Sequence, residues 1–151
     1  MKLTERLNVE HGVFLRQLRH LRTLVRSNEP RPVLQAVAGT IAAALAAHDR
    51  LEDELLYPLL ARTLGAAYPP LAAAREEHRR IEQAVGEILA GRFDDAGLEA
   101  FIDLLGAHIE SEIHLVFPLA DAWVEPDELE SLGNWNVEHV TDRAGHAGTV
   151  S

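Results

Sequence analysis

The chain has no cysteine among its 151 residues. Disulfides, thiolate metal sites and cysteine nucleophiles are therefore excluded. Positive charge is scarce as well: 14 Lys and Arg stand against 24 Asp and Glu, a formal net charge of −10. Such a balance argues against a nucleic-acid partner, because phosphate binding needs a basic surface. The arginines of "LRQLRHLRTLVR" interleave with apolar residues and read as a solvated helix face. No apolar run approaches the length of a membrane span, and "IAAALAAH" passes into charge within a few residues. The opening "MKLTERLNVEHG" has no apolar segment of the kind that marks a secretory leader. A single cytoplasmic domain with no membrane role is the expectation. Strand signals are nearly missing too, with scattered β-branched residues and no Asn-Gly or Asp-Gly hairpin turn.

Helical punctuation is abundant. "SNEPRP" closes a first helix and opens a second at Pro32, and "YPP" opens a third with proline in its first turn, where the missing N–H costs nothing. "GRFDD" ends the third and supplies an Asp cap for the fourth. "PDELESLG" reads as a short fifth helix over 126–133, and 134–151 as a polar tail. The apolar seams run Leu7, His11, Phe14, Leu18, Leu21, Val25; then Leu34, Ala38, Ile41, Leu45, His48, Glu52, Leu55, Leu59. They continue as Leu71, Ala74, His78, Ile81, Val85, Ile88, and finally Leu98, Phe101, Leu105, His108, Glu112, Leu115, Leu119. Four such seams joined by short loops predict an all-α, antiparallel up-down four-helix bundle over 1–133, with the short fifth helix at its end.

Each seam carries one histidine, and two add a glutamate one turn later. Distance from a shared loop measures height in an antiparallel pair. His11 and His48 each lie about sixteen residues from the first loop, at about 1.5 Å of rise per residue. His78 and His108 each lie about twelve from the third loop, and Glu52 and His78 each roughly ten from the second. All six side chains fall in one thin layer. Unpaired, such groups would cost several kcal/mol each in an apolar core. A hydrogen-bonded layer of imidazolium and carboxylate is one solution, and a metal centre is another that explains both residue types and positions. Imidazole and carboxylate without sulfur suit iron or manganese and fit mononuclear structural zinc poorly. Shared between two ions, the six leave each ion under-coordinated, and the His-x-x-x-Glu spacing sets the pair on one helix face. Pro58 and Pro118 should bend or end their helices. Tyr57 and Phe117 read as apolar seals beside the site.

The set His11, His48-x-x-x-Glu52 with "LYP", His78, and His108-x-x-x-Glu112 with "VFP" resembles the hemerythrin-like, or HHE cation-binding, family over roughly residues 5–133. The resemblance implies a non-heme centre of two iron ions with an oxo or hydroxo bridge, the four histidines as terminal ligands, and Glu52 and Glu112 as bridging carboxylates. It also implies dioxygen or related small oxidants as ligands. The oxygen carriers of that family have a His-x-x-x-His pair on the third helix. Here Ala74 stands four before His78 and Glu82 four after it, so the chain has four such histidines rather than five. That departure turns the expectation from oxygen carriage toward a sensing or more reactive site.

Asp49, Glu77 and Glu82 are candidate additional ligands. His20 and His114 are out of phase with the layer, and His139 and His146 lie in the tail. Trp123 and Trp135 flank the fifth helix. Three classes of function follow: a di-iron protein that binds or senses dioxygen, nitric oxide or peroxide; a di-iron redox enzyme; and an iron-responsive regulatory or interaction module. No Glu stands three residues before any histidine, which departs from the Glu-x-x-His pairs of ferritin-like oxidases.

Overall fold

A computed structural model of the chain describes residues 1–135. The expected tail lies almost wholly outside the described residues, and His139 and His146 with it. Helix α1 is Leu3–Arg26. Helix α2 runs over 31–64 in three continuous parts: Arg31–Leu51, a five-residue wide turn Glu52–Leu56, and Tyr57–Leu64. Helix α3 is Pro69–Leu89. Helix α4 covers 95–123 and repeats the design of α2: Asp95–Ser111, a wide turn Glu112–Val116, and Phe117–Trp123. Helix α5 is Pro126–Gly133. There is no strand among the described residues, and no helix is long and apolar enough to cross a membrane.

The punctuation works by local hydrogen bonding. At the end of α1, Asn28 takes a left-handed φ of 53°. Its N–H then reaches Val25 O, and the Glu29 N–H reaches Leu24 O. Gly91 (φ 73°) ends α3 in the same way, with Gly91 N–H to Ile88 O and Arg92 N–H to Glu87 O. Both satisfy carbonyls that a helix end leaves unpaired. The Asp94 carboxylate accepts from the Gly97 N–H at 2.7 Å and caps α4.

The four long helices form a ring: α1 packs on α2 and α4, and α3 packs on the same two helices. Helix α5 folds back on α1, with Leu129 fully buried. Apolar packing divides into two clusters. One contains Phe14, Leu18, Ile41, Leu45, Ile81 and Leu105; the other contains Leu3, Leu7, Leu56, Tyr57, Ala74 and Phe117. On α1, His11 falls between Leu7 of one cluster and Phe14 of the other; on α3, His78 falls between Ala74 and Ile81. The polar layer separates two dry half-cores.

The wide turns narrow one expectation and correct another. Neither Pro58 nor Pro118 ends its helix. Instead the N–H of Tyr57 reaches back five residues to Glu52 O, and that of Phe117 to Glu112 O. A proline in a regular helix clashes with the carbonyl four before it, and a widened turn is one way to relieve that clash. The extra residue also rotates everything downstream by one position. Leu115 and Leu119, expected on the seam, are exposed and half-buried respectively, while Val116, Phe117 and Ala120 are buried. On α2 the same shift adds Leu56, Tyr57 and Leu60 to the buried set beside Leu55 and Leu59.

Candidate metal centre

All six predicted side chains meet in the layer between the half-cores. Glu52 and Glu112 are 0% exposed, and His11, His48, His78 and His108 between 1% and 4%. The ligand-capable atoms form two groups, each with its atoms within 4.8 Å of one another: Glu52, His78, His108 and Glu112 in one, and His11, His48 and Glu52 in the other. Glu52 belongs to both. Its Oε1 lies 3.0 Å from His48 Nε2 and 3.4 Å from His11 Nε2, and its Oε2 lies 2.8 Å from His78 Nε2. Glu112 also spans the groups, with Oε1 2.5 Å from His108 Nε2 and Oε2 3.4 Å from His11 Nε2.

The histidines share an orientation. Nε2 faces inward on each, whereas Nδ1 of three of them donates outward to a carboxylate: His48 to Glu10 at 2.6 Å, His78 to Asp53 at 3.0 Å and His108 to Glu77 at 2.6 Å. An N–H···carboxylate bond at Nδ1 fixes the ring and leaves Nε2 as the lone-pair nitrogen, which is how metal-binding histidines are commonly held. His11 differs: its Nδ1 has no hydrogen-bond partner, and its ring is stacked on Phe117 with centroids 5.0 Å apart.

Whether a cation fits this cage is a question of satisfied atoms. Both oxygens of Glu52, Oε2 of Glu112 and Nε2 of His108 are buried without an aligned hydrogen bond, despite their short separations. His11 Nε2 and His48 Nε2 face each other at 3.0 Å. Two fully buried carboxylates with orphaned oxygens are costly. Lone pairs converging on shared points rather than on one another are what ions would satisfy. The donor set fits a cation.

Electrostatics agree. Burial alone would lower the imidazolium pKa of His48, yet Glu52 and Glu10 outweigh it and raise it to about 10. His78 is likewise desolvated, but Asp53, Glu112 and Glu52 push it up to about 12. His108 is raised against its burial by Glu112 and Glu77. Glu52 resists burial because His48, His11 and His78 hold it well below the usual carboxylate range. His48, His78 and His108 thus favour the imidazolium form beside the carboxylates, and a cation would need their coordinating nitrogens free of protons.

Other expectations fare differently. Tyr57 is no mere apolar seal. Its hydroxyl donates to Glu112 Oε1 at 2.5 Å and lies 3.0 Å from His78 Nε2. Burial, with Glu52 and Glu112 nearby, lifts its phenol well above the ordinary value, so it stays protonated. Phe117 does seal, covering His11. Glu77 is placed on the outer nitrogen of His108 and not among the inward-facing atoms. Asp49 stands 3.8 Å from His78 Nε2, and burial followed by the charge of Glu52 raises it to about 7 against the pull of His78. Glu82 is exposed, Ala74 is buried in the apolar cluster beyond the layer, His20 is exposed, and His114 pairs at the surface with Glu110. Trp135 packs against that same cluster, while Trp123 is largely exposed. Reading the sequence by seams missed Glu10 and Asp53. The signal was present for Glu10, which directly precedes a seam histidine, but exposed carboxylates are too common on helix faces to stand out.

The hemerythrin HHE cation-binding domain family matches this chain over residues 2–120. No curated protein and no solved structure matches it. The matched span contains all six inward-facing side chains and both wide turns, and the chain belongs to that family.

Proposed function

We propose that this member of the hemerythrin HHE cation-binding family holds two iron ions and binds or senses dioxygen, nitric oxide or peroxide at them. One ion would take His11 and His48, the other His78 and His108, with Glu52 and Glu112 reaching both. The observation that carries the reading is the joint orientation of the layer, with Nε2 atoms and orphaned carboxylate oxygens inward and Nδ1 atoms tied to carboxylates outward. A purely hydrogen-bonded layer would align donors on the Glu52 oxygens, and neither oxygen has an aligned hydrogen bond.

Bound iron would supply a redox-active centre with room for a small oxidant, since four histidines and two carboxylates do not saturate two ions. The chain does the rest. Glu10, Asp53 and Glu77 fix three imidazole rings. The two apolar clusters keep water from the layer, and Phe117 covers His11. The Tyr57 hydroxyl, its oxygen 2.5 Å from Glu112 Oε1, keeps its proton beside a carboxylate that reaches both groups. That hydroxyl favours one second reading, a redox enzyme that reduces peroxide to two waters with two electrons from an external reductant, because that reduction also consumes two protons and Tyr57 is an O–H at the site.

The test is anaerobic iron loading followed by iron analysis and a near-ultraviolet spectrum with and without azide or peroxide. Two irons per chain and a ligand-dependent spectrum support the proposal, and a chain that stays free of metal contradicts it. Sustained peroxide consumption by the loaded protein supplied with an electron donor would select the enzyme over the sensor.

A further inference from the structure

Two cavities approach the layer from opposite sides of α2, each ending at one of its histidines, and their walls differ. The larger, about 370 Å³ between α1 and α2, is lined by Arg6, Glu10, Phe14, Ala44, Ala47 and His48 among others. It stops at the back of His48, where Nδ1 is occupied by Glu10 at 2.6 Å and the edge of Phe14 meets the ring. The smaller, about 160 Å³ between α2 and α3, is lined by Ala46, Asp49, Arg50, Asp53, His78, Glu82 and Val85. Asp49 on its wall lies 3.8 Å from Nε2, the inward nitrogen of His78. Behind that nitrogen, at 2.8 Å, is the fully buried Glu52 carboxylate, whose oxygens have no aligned hydrogen bond.

We propose that the α2–α3 cavity is the passage by which small ligands reach the centre, and that its lining admits uncharged molecules in preference to anions. The proposal rests on the di-iron reading. Three carboxylates, Asp49, Asp53 and Glu82, line the passage against one guanidinium, Arg50, which lies 3.7 Å from Glu54. In a narrow, partly dry channel such a field repels an approaching anion and leaves a neutral molecule unaffected. Dioxygen, nitric oxide and hydrogen peroxide are neutral, whereas azide is an anion.

Ala44 and Ala46 allow a controlled experiment. Both are exposed, and they stand two positions apart on α2, one on each cavity. The iron-loaded full chain is mixed with azide or with hydrogen peroxide at pH 8, and spectral change is followed by stopped flow. A46F should slow azide association and dissociation together, by roughly tenfold, leaving the azide equilibrium constant unchanged, because a plug alters a barrier and not the bound state. A44F should change neither rate. E82Q should raise the azide association rate by roughly three- to tenfold at low salt and leave the peroxide rate unchanged. Circular dichroism and iron content of each variant exclude a folding or loading defect. A46F with wild-type rates, or A44F slowed as much as A46F, overturns the passage. An unchanged azide-to-peroxide ratio in E82Q overturns the charge selection. A wild-type chain that takes up no iron, or irons that respond to neither probe, overturns the functional reading itself.

Discussion

Metal binding to this layer must compete with protons, and the structure sets the size of that competition. The His48 pKa is raised to about 10 and that of His78 to about 12, so both are imidazolium in the metal-free protein at pH 7.5. A metal ligand must be neutral at the coordinating nitrogen. Deprotonation at pH 7.5 then costs about 3 kcal/mol at His48 and about 6 kcal/mol at His78, at 1.36 kcal/mol per pH unit. Loading should release about two protons per chain from these residues, with His108 adding to the count. Overall binding should therefore tighten about a hundredfold for each unit of rising pH between 6 and 7.5. The assay is anaerobic titration with ferrous iron in weak buffer containing a pH indicator, repeated at several pH values. Fewer than one proton released, with an affinity independent of pH, would refute the reasoning: the histidines would then be either neutral already or not ligands.

Further perturbations sort the residues by role. Glu52→Ala, which removes a carboxylate shared by both groups, should lose both ions, whereas Glu10→Gln should retain two irons with affinity lowered roughly 10- to 100-fold; iron content after dialysis against a chelator checks both. Tyr57→Phe deletes a hydrogen bond to a charged acceptor, and should cost about 1.5–3 kcal/mol of stability by chemical denaturation while slowing any peroxide turnover more than azide binding. Metal removal should lower the melting temperature, and the metal-free chain should acquire a distinctive pH profile. His48 and His78 have raised pKa values when folded, so their stabilisation is complete below pH 6.5 and fades as pH rises through about 10 and about 12. Glu52 is shifted the other way, so its contribution is present above pH 4.5 and is lost on acidification below that. Melting curves of metal-free and loaded protein from pH 4 to 10 should diverge most at alkaline pH, where only the metal-free form weakens.

The bundle and its polar layer were legible because both depend on periodicity. A histidine at a seam position of a helix has nowhere to point but inward, and counting from shared loops fixed the common height of His11, His48, His78 and His108. The short fifth helix over 126–133 was legible from Pro126 and Gly133. What seam reading missed lies where periodicity breaks. The wide turns beginning at Glu52 and Glu112 insert one residue each, so Leu115 and Leu119 rotate outward and Val116 and Ala120 take their places. The same rotation brings Tyr57 inward, which makes its hydroxyl part of the site. Pro58 and Pro118 signalled a departure from regular helix, but proline alone does not say whether a helix ends, bends or widens. Glu77 was named, as a candidate inward ligand; the outward carboxylates Glu10 and Asp53 were hidden for a different reason. They are partly exposed residues on charged helix faces, and only the ring orientation of their histidines singles them out.

The central claim is two irons held by six residues in one layer. Metal analysis of protein loaded anaerobically with iron, beside the variants His48→Ala and Glu112→Ala, tests it most directly. The account predicts two irons per chain in the wild type and a loss of bound iron in each variant with helical content retained. One iron or none in the wild type, or undiminished iron in either variant, would contradict it.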